Sequence, residues 1–497
     1  MLLIPLRDND ADGAQVAYEH ALRLYQSGRT EASHQEALAG WTRYRTSDPD
    51  WAGEFLLLDA KSLLYLGKYG DVLTLLASDD GDGAAEGEVQ RLALEASART
   101  QLRQLQEAEK PLEKAEALCR QESLAACGTV MSVRGTLSAS QKRPDEWRTW
   151  YLRAFAYARA HKDVWREANA SQTLGYIAVQ SDHPGEAIDW SRIAYQIAVK
   201  NGYDDVAEEA AGNEGYAWYQ LGDGERALEQ FEAAEKAATG LRDFHDAQIW
   251  ISNQAYVHRD RGDLARAEEL DGHALRLAQQ IGDQDEEIDT LGDLANLAIL
   301  ASKPDEADDR LQAGLRMEAA AGRKAPQYYV LLEAQLAAVK HDYAKAEDGL
   351  HVVLADKTIS TAIRLNAGND MGLLDEAMGK PAAAEQMYKA TIAAWSAARE
   401  QLKRVELRLS YGTNASEIYG NYVRFLVQHR RTAEALALAD GSRARTLMDE
   451  LQTGKNHTDS GPRLMSAAMH PEQIARKTGS TLLFYWLGEK EDRKSVV

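Results

Sequence analysis

Along this chain a small residue is followed twelve positions later by an alanine, or once by a tryptophan, and the pair recurs in phase. Gly135/Trp147, Gly175/Ala187, Gly215/Ala227, Ala255/Ala267 and Ala295/Ala307 stand 40 residues apart. Ala334/Ala346 and Gly372/Ala384 follow at steps of 39 and 38, and Ala96/Ala108 precedes at a step of 39. Weaker units lie at Leu66-Gly67-Lys68-Tyr69, near Ala37-Leu38-Ala39, and at Val423/Ala435.

Each period predicts two helices. In the Gly215 unit, helix A is expected over 205–221 and helix B over 224–238, where Ala227, Phe231 and Ala234 form one apolar stripe. Breakers separate the two: Gly222-Asp223-Gly224, Gly262-Asp263, Arg143-Pro144, His183-Pro184, Lys303-Pro304 and Lys380-Pro381. The prolines fall in the first turn of helix B, where the missing N–H costs nothing. Gly202, Gly240, Gly282 and Gly322 are expected to end helix B in a left-handed cap. Acids then open the next helix A, as at Asp283, Asp285, Glu286 and Glu287, and complement its dipole.

Small residues at these positions let two antiparallel helices approach closely, while neighbouring Leu, Tyr and Phe fill the groove. The pattern resembles the tetratricopeptide repeat from about residue 15 to about residue 450, in a version lengthened from the basic period of about 34 residues. The resemblance implies an all-α, right-handed solenoid of roughly nine to eleven helix-turn-helix units, occupying residues 1–451.

In such a solenoid helix A lines the groove. Two residues before the aligned small position stand Asn213, Asn253 and Asp293, a polar ladder; one residue after it stand Tyr176, Tyr216 and Tyr256, a tyrosine ladder. Asparagine offers a donor and an acceptor to an extended peptide, and tyrosine gives apolar area with a polar tip. The same residues also suit packing between neighbouring repeats. The expected partner is a protein or peptide segment held in the groove.

Charge narrows the field of partners. The chain of 497 residues carries 57 Lys+Arg against 78 Asp+Glu, a net charge of −21. That balance disfavours a broad nucleic-acid or anionic-membrane surface and favours a basic or neutral segment. No phosphate loop, HExxH or paired CxxC is present, so no cofactor, metal or catalytic role is expected. Cys119 and Cys127, the two cysteines, read as half-buried packing residues in a reducing compartment, which predicts a cytoplasmic protein.

The character changes near the end. Residues 452–478 read as a polar linker with a short helix, and 479–497 as a strand and the start of a hairpin that looks cut off. Ser442-Arg443-Ala444-Arg445-Thr446-Leu447-Met448 and Leu482-Leu483-Phe484-Tyr485-Trp486-Leu487-Gly488-Glu489 resemble the junction in bacterial proteins where a tetratricopeptide array precedes a CHAT domain, a caspase-like peptidase fold. That family's catalytic His and Cys lie further downstream and match no residue here. The resemblance implies a sensor or scaffold array contacting a downstream CHAT domain. An alternative is a peptide-sensing regulator of the signalling-peptide-receptor type.

Overall fold

The computed structural model describes residues 8–78, 84–441, 483–488 and 491–496. The Ser442–Met448 motif, the 452–478 linker and part of the expected 479–497 strand and hairpin lie outside them. The helices run α1 (Asp8–Gln26), α2 (Thr30–Tyr44), α3 (Pro49–Tyr65), α4 (Tyr69–Leu76), α5 (Ala85–Gln101), α6 (Leu105–Gln121), α7 (Cys127–Ser140) and α8 (Pro144–Ala160). They continue as α9 (Val164–Gln180), α10 (Pro184–Asn201), α11 (Asp204–Gln220), α12 (Gly224–Leu241), α13 (Phe244–Asp260), α14 (Leu264–Ile281), α15 (Gln284–Leu300) and α16 (Pro304–Ala320). Then come α17 (Gln327–Val339), α18 (Tyr343–Ala355), α19 (Thr361–Ala377), α20 (Pro381–Glu400), α21 (Val405–Tyr411) and α22 (Ser416–Gln428), with a further helix over 432–441. Odd-numbered helices to α19 are A helices, and α22 takes that place in the last pair. Strands β1 (Leu483–Gly488) and β2 (Glu491–Val496) pair antiparallel, Leu483 opposite Val496.

The chain divides into two compact units, Met1–Gly215 with Gln230–Trp250, and Tyr216–Glu229 with Ile251–Val497. In the first, α5 packs on α6 and α7, and α9 on α8 and α10. In the second, α15 packs on α16 and α17, and α19 on α20 and α22.

The aligned small position meets the helix-B residue sixteen further on. A Cβ on Gly135 would stand 2.7 Å from the Tyr151 ring, one on Gly215 2.8 Å from Phe231, and one on Gly372 2.6 Å from Tyr388. Where the opposing residue is Leu311 or Leu350, the small residue is alanine, Ala295 or Ala334. The second member of the pair, one turn earlier on helix B, is the buried alanine itself: Ala108, Ala187, Ala227, Ala267, Ala307, Ala346 and Ala384 are fully buried. In these pairs glycine stands opposite a ring and alanine opposite leucine, as close packing demands, whereas Gly175 meets Ser191.

The period also appears in the backbone. Each A-to-B turn holds one left-handed residue: Gly28, Gly67, Arg103, Lys142, Asp182, Gly222, Gly262, Ser302, His341, Gly379 and Arg430. A second series, Lys162, Gly202, Arg242, Gly282 and Gly322, marks B-to-A turns. Gly240 corrects the expectation of a cap: it lies inside α12, and Arg242 two residues on takes the left-handed conformation (φ 62°). Pro144, Pro184, Pro304 and Pro381 each occupy the first turn of their helix, as expected.

The cysteines also require correction. Cys119 and Cys127 form a disulfide, with Cα atoms 5.7 Å apart, rather than acting as free packing residues. The short link between α6 and α7 brings the end of one helix within bonding range of the start of the next. No helix among the described residues is long and apolar enough to cross a membrane.

Candidate functional site

Within each unit the A helices present an equivalent face. Counted from the aligned small residue, positions −6, −2, +1 and +4 fall within one stripe of a helix. The polar and tyrosine ladders are two of these four rungs.

In the first unit this face holds Asn213 and Tyr176. Asn213 is 6% exposed and its Nδ2 has no hydrogen-bond partner. Tyr176 is 41% exposed, with its ring centroid 6.0 Å from that of Trp147. Glu209, at −6, is half-buried, and its neighbour Glu208 accepts a hydrogen bond from the Trp250 indole.

In the second unit the face becomes a connected network. The rings of Tyr216 and Tyr219 lie 5.9 Å apart, as do those of Tyr219 and Tyr256. Arg259 donates to the Tyr219 hydroxyl at 2.9 Å, and its guanidinium lies 5.2 Å from the Tyr256 ring centroid. The buried Asp293 carboxylate accepts from the Tyr256 hydroxyl (2.9 Å) and the Tyr328 hydroxyl (3.0 Å). Asn296 donates to Tyr328 at 3.2 Å. Further along, Gln335 donates to Asp370 at 2.7 Å, and Asn421 to Asn369 at 3.0 Å. Asn253 is buried on α13.

Burial dominates the electrostatics. It pushes the Asp293 carboxyl above the usual range, although Arg259 and the two tyrosine hydroxyls pull the other way. It raises Asp370 to about 7 against the Gln335 hydrogen bond. Burial also pushes the hydroxyls of Tyr219, Tyr256 and Tyr328 up, so they remain protonated donors. Chemically the face offers aromatic surface, paired acceptors and one clamped guanidinium. Among the described residues, no group of three His, Cys, Asp or Glu could hold a metal ion.

Of the six residues singled out in sequence, the structure joins Tyr256 to Asp293 directly and Tyr216 to them through Tyr219. It buries Asn213 and Asn253 and leaves Tyr176 exposed. Tyr219, Arg259 and Tyr328 were missed. The first two sit one helical turn beyond Tyr216 and Tyr256, so following the stripe to +4 finds them. Tyr328 sits at −6 in α17.

Residues 245–318 match the tetratricopeptide repeat family. No curated protein matches the chain in sequence. Among solved structures, the chain is similar in fold to a Rap protein complexed with Competence and Sporulation Factor, at 13% identity and TM-score 0.56, covering 70% of this chain and 99% of that one. It is similar to the apo form of RapI, at 12% identity and TM-score 0.53, covering 69% and 97%. It is similar to NprR in complex with its cognate peptide NprX, at 17% identity and TM-score 0.50, covering 68% and 96%. Over residues 8–441 the described chain is thus a helical-repeat protein whose fold is that of tetratricopeptide-type solenoids.

Proposed function

We propose that this chain is a peptide-binding scaffold or regulator that takes an extended segment along the A-helix face. The observation that carries the reading is the run Tyr216–Tyr219–Arg259–Tyr256–Asp293–Tyr328, a pre-ordered aromatic and polar surface repeated at the helical-pair spacing. Fixed side chains of this kind lose little entropy on binding. One structure with this fold is NprR in complex with its cognate peptide NprX, and another is a Rap protein complexed with Competence and Sporulation Factor, which supports the reading. The net charge of −21 favours a basic or neutral segment, with association slowed by salt.

The test is capture from a fluorescein-labelled library of random ten-residue peptides. Wild-type chain is expected to retain a defined subset. The Asn213→Ala/Asn253→Ala and Tyr216→Ala/Tyr256→Ala variants, folded by circular dichroism, are expected to lose it. No retained peptide, or retention unaffected by both variants, overturns the proposal.

The 442–448 and 482–489 motifs and the pairing of β1 with β2 favour a narrower second reading, in which the array serves as sensor for a caspase-like CHAT domain. Genomic sequence beyond the codon for Val497 tests it: an open frame encoding a His and a Cys in that context supports it, and a stop codon refutes it. The signalling-peptide-receptor reading fits the same groove and is separated by partner identity.

A further inference from the structure

Within the first unit, the turn between α1 and α2 is seated against helices far along the chain. Gly28, left-handed at φ 75°, lies so close that a Cβ would stand 2.9 Å from Asp205 Cβ and 3.2 Å from Leu241 Cδ1. Arg29 lies 3.7 Å from Asp204, and the Tyr25 ring is 5.4 Å from Trp165. Asp205 meets the turn directly, and an acid cluster extends behind it: Glu209 lies one helical turn further along α11 and feels Asp205, Asp243, which precedes α13, and Asp246 in its first turn, which also acts on Glu208. Tyr65, at the end of α3, stands within electrostatic reach of Glu209, Asp205, Asp246 and Asp243.

Arg29 faces Asp204, and His245 lies 3.8 Å from Asp246. The charges acting on Glu209 are those of Asp246, Asp205 and Asp243. Asp205 is 6% exposed, and its Oδ1 has no hydrogen-bond partner. The Val206 backbone N–H donates to this carboxylate and favours its charged form, but burial outweighs it and favours the protonated one.

We propose that this contact is a proton-sensitive latch, holding the α1–α2 turn against α11–α13 when the carboxyl cluster is protonated and loosening when the cluster is fully ionised. Burial pushes Asp205 up to about 6, and burial together with Asp243 raises Asp246 to about 6, with His245 pulling down. Glu208 and Glu209 are raised by burial and by Asp246. The sign follows. An acid whose pKa is higher in the closed contact than in the open one binds protons more tightly when closed. Closure therefore strengthens as pH falls towards the ordinary carboxylate range and is weakest above the raised values. The inference does not depend on peptide binding.

Hydrogen exchange on the full chain tests it, read at amides 27–29, 204–209 and 241–246 and corrected for intrinsic rates. Protection is expected to rise about tenfold or more between pH 7.5 and pH 5, equivalent to one proton bound over about one pH unit. The Asp205→Asn/Glu209→Gln variant is expected to hold the high protection at pH 7.5 and change less than about threefold with pH. Gly28→Leu, which neither the backbone nor the space accepts, is expected to lower protection at 204–209 and 241–246 at both pH values. Arg29→Glu serves where that variant does not fold and is expected to act in the same direction. Equal wild-type protection at both pH values overturns the latch. So does an unchanged pH response in the double variant, or full protection in the Gly28 or Arg29 variant.

Discussion

The two compact units both bury acids on this face of their A helices, and Asp293 and Asp370 in the second differ from Asp205 and Glu209 in the first by the donors they meet. In the second, Asp293 accepts from two tyrosines and Asp370 from Gln335. In the first, Glu209 faces other carboxylates, and Asp205 keeps an oxygen with no hydrogen-bond partner. A buried acid with matched donors is a structural rivet. A buried acid without them is a proton-binding site whose contribution depends on pH. One repeat architecture therefore supplies both a rigid stretch and a responsive one.

Breaking the rivet is expected to have the largest effect. Asp293→Ala strands the Tyr256 and Tyr328 hydroxyls and removes a nearby counter-charge for Arg259. It should cost about 3 kcal/mol, measured by urea unfolding at pH 7.5. A cost below about 1 kcal/mol would mean the network adds little. Next, removing the disulfide with Cys119→Ala/Cys127→Ala should cost the first unit about 2 kcal/mol, as expected for a short closed loop, and reduction of the wild type should match it.

Asp205→Asn tests the other side of the comparison and should stabilise the chain at pH 7.5. The Asp205 carboxyl is held at about 6 when folded, against an ordinary 3.8. It therefore contributes least above pH 6 and gains about 1.4 kcal/mol for each pH unit below that, until the ordinary value is reached. Stability measured at pH 7 and pH 5 should show a gain of about 1 kcal/mol in the wild type that the variant lacks. The smallest effects serve as a control common to both units. Arg242→Gly and Ser302→Gly relieve left-handed residues and should each add about 1 kcal/mol or less, read as equal small rises in Tm.

The helical pairs were legible because their cause is local. Gly215 faces Phe231 and Gly372 faces Tyr388 within one pair, so small residues at a crossing leave a periodic trace. The left-handed turns were half hidden, because Arg103, Lys142, Asp182 and His341 do there what Gly222 and Gly262 do elsewhere, and Gly240 carries no such role. The Cys119–Cys127 bond depends on the path of a five-residue link, which spacing alone does not reveal. Within the site, Tyr256 and Asp293 were legible from register, and Arg259 and Tyr219 followed from extending the stripe by one turn. The meeting of Gly28 with Asp205 leaves no trace in either segment, because it arises from how successive pairs curl and not from their internal pattern.

The proposed binding of peptides on the A-helix face is open to cross-linking. The most direct measurement places photoreactive benzoyl-phenylalanine in place of Tyr216, on that face, or of Val199, which is 59% exposed on α10, and maps cross-links to library-selected peptides. The account predicts cross-linking from position 216, competed by unlabelled peptide, and none above background from position 199. Equal labelling from both positions, or labelling from 199 alone, would contradict it.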